Sequence, residues 1–424
     1  MNFGALGREL GRRGHRVTTF HVSDLAPHIA AEGLDFVALP DLGFSLRSYL
    51  EMMSRQRGYP IRGFLDYSTK MARVFCESAP EAMQSAAIDG VVVDALLPGA
   101  ATAAEAAGVP FITMCNAVPM HQEPAVPPDF LPWRHSTASL ARMRNRFAYA
   151  IRDIVLSPLH RVLNQYRRQW SLRPYRSPDD SFSPFAQLSQ LVPEFDLPRE
   201  RLPQCFHYVG PYRRENPASV CFPYERLDGS PLVYASLGSV LGTRCEIWRA
   251  IIEACSELPV QLVIALGGAE PDAAFPRTSA STIIVKYAPQ RELLKRAALA
   301  ITHGGLNSAM EALASEVPMI AIPVTGDQFG VAARLAYTQT GEIISLSKCD
   351  GARVREAIRK VLGDPSYRRC ASVIHASIEK SGGVFEAASI VEQTIITRRP
   401  VVRSSHAAVH PSQLSGIANS AGAG

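Results

Sequence analysis

A chain of 424 residues exceeds what one hydrophobic core ordinarily organises, so two domains are expected. Hydrophobic residues at 47% and charged residues at 20% describe a globular chain and exclude an intrinsically disordered one. The net charge of +5 suits anionic small molecules or an anionic surface, but it is too small and too dispersed for nucleic acid, which is not expected as a partner.

Residues 4–13 read as an amphipathic helix, with Leu6 and Leu10 opposite Arg8, Glu9, Arg12 and Arg13, and Gly14 stops it before a strand at 17–22. Short apolar runs at 36–39, 91–93 and 110–113 have the pattern of buried parallel strands, with helical stretches at 64–87 and 100–107 between them. This alternation predicts a doubly wound α/β sheet. The chain opens inside a helix where such a domain is expected to open with a strand; without that strand its neighbours would carry unpaired edges.

Residues 140–170 have another texture, helical and rich in arginine (Arg142, Arg144, Arg146, Arg152, Arg161, Arg167, Arg168) among Phe147, Tyr149, Ile151, Val155, Leu156 and Trp170. Two readings stand: a basic amphipathic segment on a membrane surface, or a helical pair covering the sheet with solvated arginines. Residues 208–229, rich in Pro, Gly, Asn and charge, read as the approach to an interdomain linker. A second alternating series follows, with strands at 232–235, 263–264, 283–285, 299–301 and 319–322, helices at 246–256, 307–314 and 329–337, and a helical stretch at 350–393. The division expected is an N-terminal Rossmann-like domain at 1–213, a linker at 214–229, a C-terminal Rossmann-like domain at 230–382, a helix at 383–397 that can return to the first domain, and a disordered tail at 398–424.

The eight cysteines are scattered, with no Cys-x-x-Cys and no histidine at ligand spacing, so buried free thiols in a reducing compartment are expected and a metal site is not. No apolar run reaches membrane-spanning length and the N-terminus lacks signal-peptide shape. A cytoplasmic monomer is expected, with peripheral contact at the inner face of the membrane as the alternative.

The chemistry concentrates in the second half. Ile301-Thr302 ends a strand and Gly304-Gly305 turn the chain into a helix, an arrangement that leaves backbone N–H groups at a positive helix end for phosphate. His303, Asn307 and Ser308 add side-chain donors, and Glu311 on the same helix can accept two ribose hydroxyls. Asp327-Gln328 opens the next helix with an acceptor and an amide suited to adjacent sugar hydroxyls. Ser236-Leu-Gly-Ser239 repeats the strand-to-glycine turn. Any one piece is ordinarily just a turn or a cap; their order within one half points to a nucleotide sugar.

With Tyr287-Ala-Pro-Gln290 added, the stretch through Gln328 resembles the donor signature of the family 1 nucleotide-sugar-dependent glycosyltransferases of GT-B fold, a group with plant secondary-product, macrolide and zeaxanthin glucosyltransferases. Cys115-Asn-Ala117, Gln122-Glu-Pro124 and Pro127-Pro128 look most like the zeaxanthin branch. The resemblance implies two Rossmann-like domains facing across a cleft. It implies that Tyr287 and Ala288 flank the uracil, Gln290 contacts the nucleoside and Glu311 binds ribose. Ser239, His303, Gly305, Asn307 and Ser308 would hold the diphosphate, and Asp327 and Gln328 the glucose. Departures are Tyr287 and Leu306 where relatives carry Trp, Glu316 where they carry Gly before Val317-Pro318, and Phe329 where many have Pro.

The implied reaction is inverting transfer of a hexose, glucose from UDP-glucose, to a hydroxyl of an apolar aglycone: a carotenoid or terpenoid first, a macrolide, polyketide or sterol next. No cofactor or metal is expected, since His303, hydroxyls and the helix end can carry the leaving charge. The family's general base is a histidine oriented by an aspartate, and such a base contributes about 10²–10⁴-fold. Asp94 matches the aspartate; the histidine would fall upstream of Met1. His15 belongs to a downstream motif and His21 reads as an ordinary strand histidine. A nucleotide-sugar-binding protein without transfer is therefore the alternative of another class. A nicotinamide enzyme is not expected, because neither half carries Gly-x-Gly-x-x-Gly in Rossmann spacing.

Overall fold

The computed structural model describes residues 2–43, 45, 61–212, 220–239, 241–271, 275–276, 278 and 281–403. The N-terminal half begins with α1 (Asn2–Arg12) and continues through β1 (Thr18–Val22), β2 (Asp35–Leu39), α2 (Ile61–Ser85), β3 (Val91–Asp94), α3 (Pro98–Ala106), β4 (Phe111–Cys115), α4 (Ser139–Gln169), β5 (Gln187–Ser189) and β6 (Phe206–Tyr208). Its strands are parallel but form two sheets: β1 pairs with β2, and β3-β4-β5-β6 run side by side. α1 lays Ala5, Leu6 and Leu10 into a core with Ile112, Met114 and Leu188.

The C-terminal half carries β7 (Leu232–Ser236), α5 (Cys245–Ser256), β8 (Gln261–Ala265), β9 (Ile283–Val285), α6 (Gln290–Leu294), β10 (Ala297–Thr302), α7 (Leu306–Leu313), β11 (Met319–Ala321), α8 (Gln328–Tyr337), β12 (Gly341–Ile343), α9 (Gly351–Gly363) and α10 (Ser366–Lys380). Six parallel strands lie in the order β12-β11-β10-β7-β8-β9. Because strand side chains alternate, Leu232, Tyr234, Val263 and Ala265 face one helix layer while Val233, Ala235, Leu262 and Ile264 face the other. Both faces are covered, which is why these strands are continuously apolar rather than alternating. The order reverses between β10 and β7, and the crevice at their carboxyl ends is where ligands of such sheets bind.

The last helix, α11 (Gly383–Thr397), lies on the N-terminal half, where Val384, Ala387, Ile390 and Val391 join the α1 core. Glu392 on α11 receives Arg13 (2.6 Å) and His15 (2.9 Å), so His15 ties helices together.

Several expectations are corrected here. The disordered tail does not begin at residue 398: Val401 is buried, its N–H donates to Phe185 (2.8 Å), its carbonyl pairs with His207 Nε2 (2.9 Å), and Arg403 N–H donates to Gln204 (3.0 Å). Residues 404–424 and the linker residues 213–219 lie outside the described residues. The 140–170 stretch is one 31-residue helix rather than a pair, although Pro158 lies inside it. Its arginines are not uniformly solvated, since buried Arg167 forms a fork with Glu105 (2.9 Å on both oxygens). Of the free thiols, Cys76, Cys115, Cys205 and Cys255 are buried and Cys221 is exposed. Among the described residues no helix is long and apolar enough to cross a membrane.

Glu316, the departure before Val317-Pro318, holds φ +57°, the left-handed region where glycine is favoured. Its carboxylate accepts from Ser372 Oγ on α10 (2.6 Å), and His375 Nε2 lies 3.7 Å away, so contacts available only to a long acidic side chain offset the backbone cost.

Candidate functional site: the cleft between the halves

A cleft of about 2100 Å³ opens at the carboxyl ends of β7 and β10. Ser239, Tyr287, Ala288, Gln290, His303, Gly305, Asn307, Ser308, Glu311, Asp327 and Gln328 all line it. Local geometry explains how each is presented.

His303 leaves β10 and its ring is wedged between two glycine turns. A Cβ on Gly238 (φ +70°) would come within 2.9 Å of the ring, and one on Gly305 within 2.7 Å. The ring exists in this position only because both neighbours lack a side chain. Burial pushes its pKa down to about 4 against a hydrogen bond to the Ser236 main chain, so the imidazole is neutral at pH 7. Beyond it, α7 directs its first turn, with Asn307 and Ser308, into the cleft.

Glu311, one turn further along α7, accepts from Gln290 Nε2 (2.6 Å) and Arg291 Nε (3.3 Å), while Gln290 Oε1 accepts from Tyr234 Oη (3.0 Å). Tyr287, more than half exposed, lies against the Gly268 turn, where a Cβ would sit 2.5 Å from its hydroxyl. Gln328 turns its Oε1 back to accept from Val324 (2.8 Å) and Thr325 (3.0 Å), which leaves its amide N–H groups as the part able to meet a ligand. Asp327 precedes α8 but makes no capping hydrogen bond. Burial, then the carboxylate of Asp129 across the cleft, pushes its pKa up to about 7.

Asp94 behaves differently. It does not line the cleft, although Ala95, Leu96 and Asn116 around it do. One carboxylate oxygen accepts from Leu96 N–H (2.8 Å), the other from Asn116 Nδ2 (2.6 Å), and burial raises its pKa against both bonds. Asn116 Oδ1 in turn accepts from Asn2 (3.2 Å), whose amide also reaches Asn307 Oδ1 (3.1 Å). A relay of amides thus runs from Asp94 to the first turn of α7. Among the described residues no histidine hydrogen-bonds Asp94, and the cleft histidines are His160 and His303.

Sequence reasoning assigned no site role to Asn2, Asn116, Asp129, Tyr234, Arg291 or the Gly267-Gly268 turn. Asn116 carried a signal, lying directly after β4 beside Cys115; Arg291 adjoined Gln290. Asn2 and Asp129 carried none, because their partners are remote in the chain. The N-terminal wall is mixed: Phe64, Met120, Phe130, Trp133, Phe147 and Ile151 form an apolar part of it, beside Asp129, Arg144, Arg152 and Asp179.

Two α/β lobes facing across a cleft are the architecture of the GT-B glycosyltransferases. The family model "UDP-glucoronosyl and UDP-glucosyl transferase" matches residues 48–380, and the chain belongs to that family. It is similar to a zeaxanthin glucosyltransferase of Pantoea ananas, 33% identical over 406 residues and covering 94% of each chain. It is similar also to one of Pseudescherichia vulneris, 32% identical over 396 residues, 92% of this chain and 94% of the other. Among solved structures the calicheamicin glycosyltransferase superimposes with a TM-score of 0.71 at 20% identity, covering 94% of this chain and 95% of that one, which establishes the fold. The protein is thus a UDP-glycosyltransferase enzyme of family 1.

Proposed function

We propose that the enzyme moves glucose from UDP-glucose to a hydroxyl of an apolar terpenoid of carotenoid type, with inversion. The observation that carries this reading is the pairing, in one cleft, of a polar C-terminal wall with an N-terminal wall that holds a large apolar surface of Phe64, Met120, Phe130, Trp133, Phe147 and Ile151. Similarity to two zeaxanthin glucosyltransferases over nearly the whole chain supports the same choice of donor and acceptor. A macrolide or sterol acceptor would suit the apolar surface by the same chemistry.

In this reading Tyr287 and Ala288 flank the uracil, Glu311 accepts from the ribose, and Gln290 and Arg291 fix the Glu311 carboxylate. Ser239, His303, Asn307, Ser308 and the main chain at Gly305 receive the diphosphate at the α7 end. Asp327 and the Gln328 amide hold the hexose. The acceptor oxygen attacks the anomeric carbon, the bond to the diphosphate breaks, and its negative charge is met by neutral donors already in place. The acceptor hydroxyl gives its proton to a general base, in this family a histidine oriented by the aspartate that Asp94 matches, and Asn116 and the Leu96 N–H hold the Asp94 carboxylate in place.

Incubation of the protein with UDP-glucose and a carotenoid diol is expected to give mono- and diglucosides by mass spectrometry. Absence of product across a panel of apolar alcohols would overturn the acceptor class. Uridine diphosphate binding without transfer or donor hydrolysis would instead favour the binding-protein reading, for which the lack of a histidine on Asp94 among the described residues is the motivating observation.

Two further results are expected. Because protein groups alone are assigned the leaving charge, EDTA should leave the transfer rate unchanged; a rate restored only by added divalent ion would reassign that role. Glu311→Ala should weaken UDP binding by roughly 10- to 100-fold in titration calorimetry, the scale of hydrogen bonds to a charged group. Arg291→Ala, which removes only a support, should cost less; equal losses would place Arg291 itself on the ligand.

A further inference from the structure

We propose that the outer face of α4 is a docking surface for an anionic phospholipid bilayer, set at the mouth of the apolar half of the cleft. Leu140, Met143, Phe147, Ile151 and Ile154 recur at spacings of three, four, four and three, which places them on one stripe of the helix. At about 1.5 Å per residue the stripe is roughly 21 Å long. Its members are between 45% and 72% exposed. Single exposed apolar side chains are ordinary; five large ones in line are not. The opposite face is fixed in the protein by Asn145, Ala148, Tyr149, Leu159 and Leu163, so the helix has no freedom to turn the stripe inward.

Charge selects the occupant. The helix contains seven arginines and a single acidic residue, Asp153. Arg142 pairs with Glu200, Arg152 with Asp153 and Arg167 with Glu105, and Arg144 stacks over Trp133 at 4.2 Å. Arg146, Arg161 and Arg168 are exposed and form no ion pair among the described residues. An apolar ridge with unpaired Arg146 alongside it and Arg161 about two turns past its end matches the acyl boundary and phosphate layer of an anionic membrane. A second copy packed on the same stripe would bring like charges together, which disfavours that occupant. With no helix of membrane-spanning character among the described residues, the contact is peripheral.

The stripe is continuous with the site. Phe147 and Ile151 belong to it and also line the cleft, so an apolar acceptor could pass from the bilayer to the cleft along protein surface rather than through water. That delivery rests on the apolar-acceptor reading; membrane binding does not.

The test is flotation of the full chain with vesicles of phosphatidylcholine alone or with phosphatidylglycerol added. Binding is expected only with the anionic lipid and should fall as salt rises. Met143, Ile154, Arg146 and Arg161 do not line the cleft, so their replacement should leave UDP binding and the melting curve unchanged. Arg146→Glu with Arg161→Glu should weaken partitioning by at least about 25-fold, taking roughly fivefold for each cation lost. Met143→Ser with Ile154→Ser should also abolish flotation. No flotation at low salt, or flotation that neither pair reduces, would overturn the proposal. So would a dimer in solution that the Met143/Ile154 pair converts to monomer, since the stripe would then face a second copy. Flotation uses no acceptor and the transfer assay in detergent uses no vesicle, so the two readings fail separately.

Discussion

Replacing His303 by alanine is expected to lower kcat/KM for the nucleotide sugar by about 10²–10³-fold, the scale of losing one prearranged donor from a water-poor site. The ring is held between Gly238 and Gly305 and kept neutral by burial, so it has a single N–H, which the Ser236 main chain takes in the free protein and the diphosphate is expected to take when the nucleotide sugar binds. Two consequences separate this from a generic cationic contact. His303 should contribute no step in donor affinity near pH 6.5, where an ordinary histidine titrates, because its protonation is displaced to about 4; the step expected near 7 belongs to Asp327. Gly238→Ala or Gly305→Ala, which leave the imidazole in place chemically, should reproduce much of the loss by displacing it. Calorimetry with UDP-glucose, whose diphosphate diester does not titrate in this range, checks the first across pH in the protein and in His303→Ala, and steady-state rates check the second; a step near pH 6.5 that disappears in His303→Ala would show that the histidine binds as imidazolium. The same displacement bears on stability. His21, His121 and His303 are all lowered to about 4, chiefly by burial. Between that value and about 6.5 the unfolded chain binds protons that the folded one refuses, so stability falls as pH drops through this window.

The C-terminal half was legible because its signals are local. Each strand is a short apolar run, each phosphate-facing turn carries glycine, and the donors sit within a few residues of those turns. Even there, side-chain direction was not readable: Gln328 spends its carbonyl oxygen on Val324 and Thr325, and Asp327 declines the capping role usual at a helix start. In the N-terminal half the useful contacts are remote. Asn2 meets Asn307 across 305 residues, and Asp129 faces Asp327 from a proline-rich loop with no periodicity to place it. The stretch at 140–170 shows a third limit. Its composition gave an amphipathic helix but not which stripe is buried, and the structure buries the mixed stripe of Asn145, Tyr149 and Arg167 while leaving the most apolar one outside.

Arg334→Ala is expected to destabilise the protein by about 1.5–3 kcal/mol in denaturant unfolding, the scale of hydrogen bonds lost from a buried charge that keeps a second cationic partner in Arg199. Arg334 on α8 donates through Nε (3.0 Å) and Nη2 (2.5 Å) to Asp196 Oδ1, while Nη1 donates to the Gly330 carbonyl (2.8 Å). Asp196 belongs to the N-terminal half, where Tyr208 Oη (2.6 Å) and Arg199 Nε (3.3 Å) take its other oxygen. Both partners of the interlobe pair are almost fully buried. Burial alone would raise the Asp196 pKa, but Arg334 and then Arg199 outweigh it, and the net direction is down. Its contribution is therefore present above the ordinary aspartate range and lost as pH falls below it. Asp196→Asn should cost at least as much, because Arg199 and Tyr208 also lose their carboxylate, and the double change Asp196→Asn with Arg334→Met should recover part of it, since the interlobe pair then leaves no charge to be solvated while the amide oxygen still accepts from Tyr208 and Arg199. The position of the pair adds a functional readout: α8 carries Gln328 at its start, with Asp327 just before it, and the same helix is bolted to the opposite lobe by Arg334. Loosening the bolt should raise KM for the nucleotide sugar more than it lowers kcat. A double variant that recovers stability but not KM would show that the ion pair sets the lobe angle; recovery of both would show that packing alone suffices.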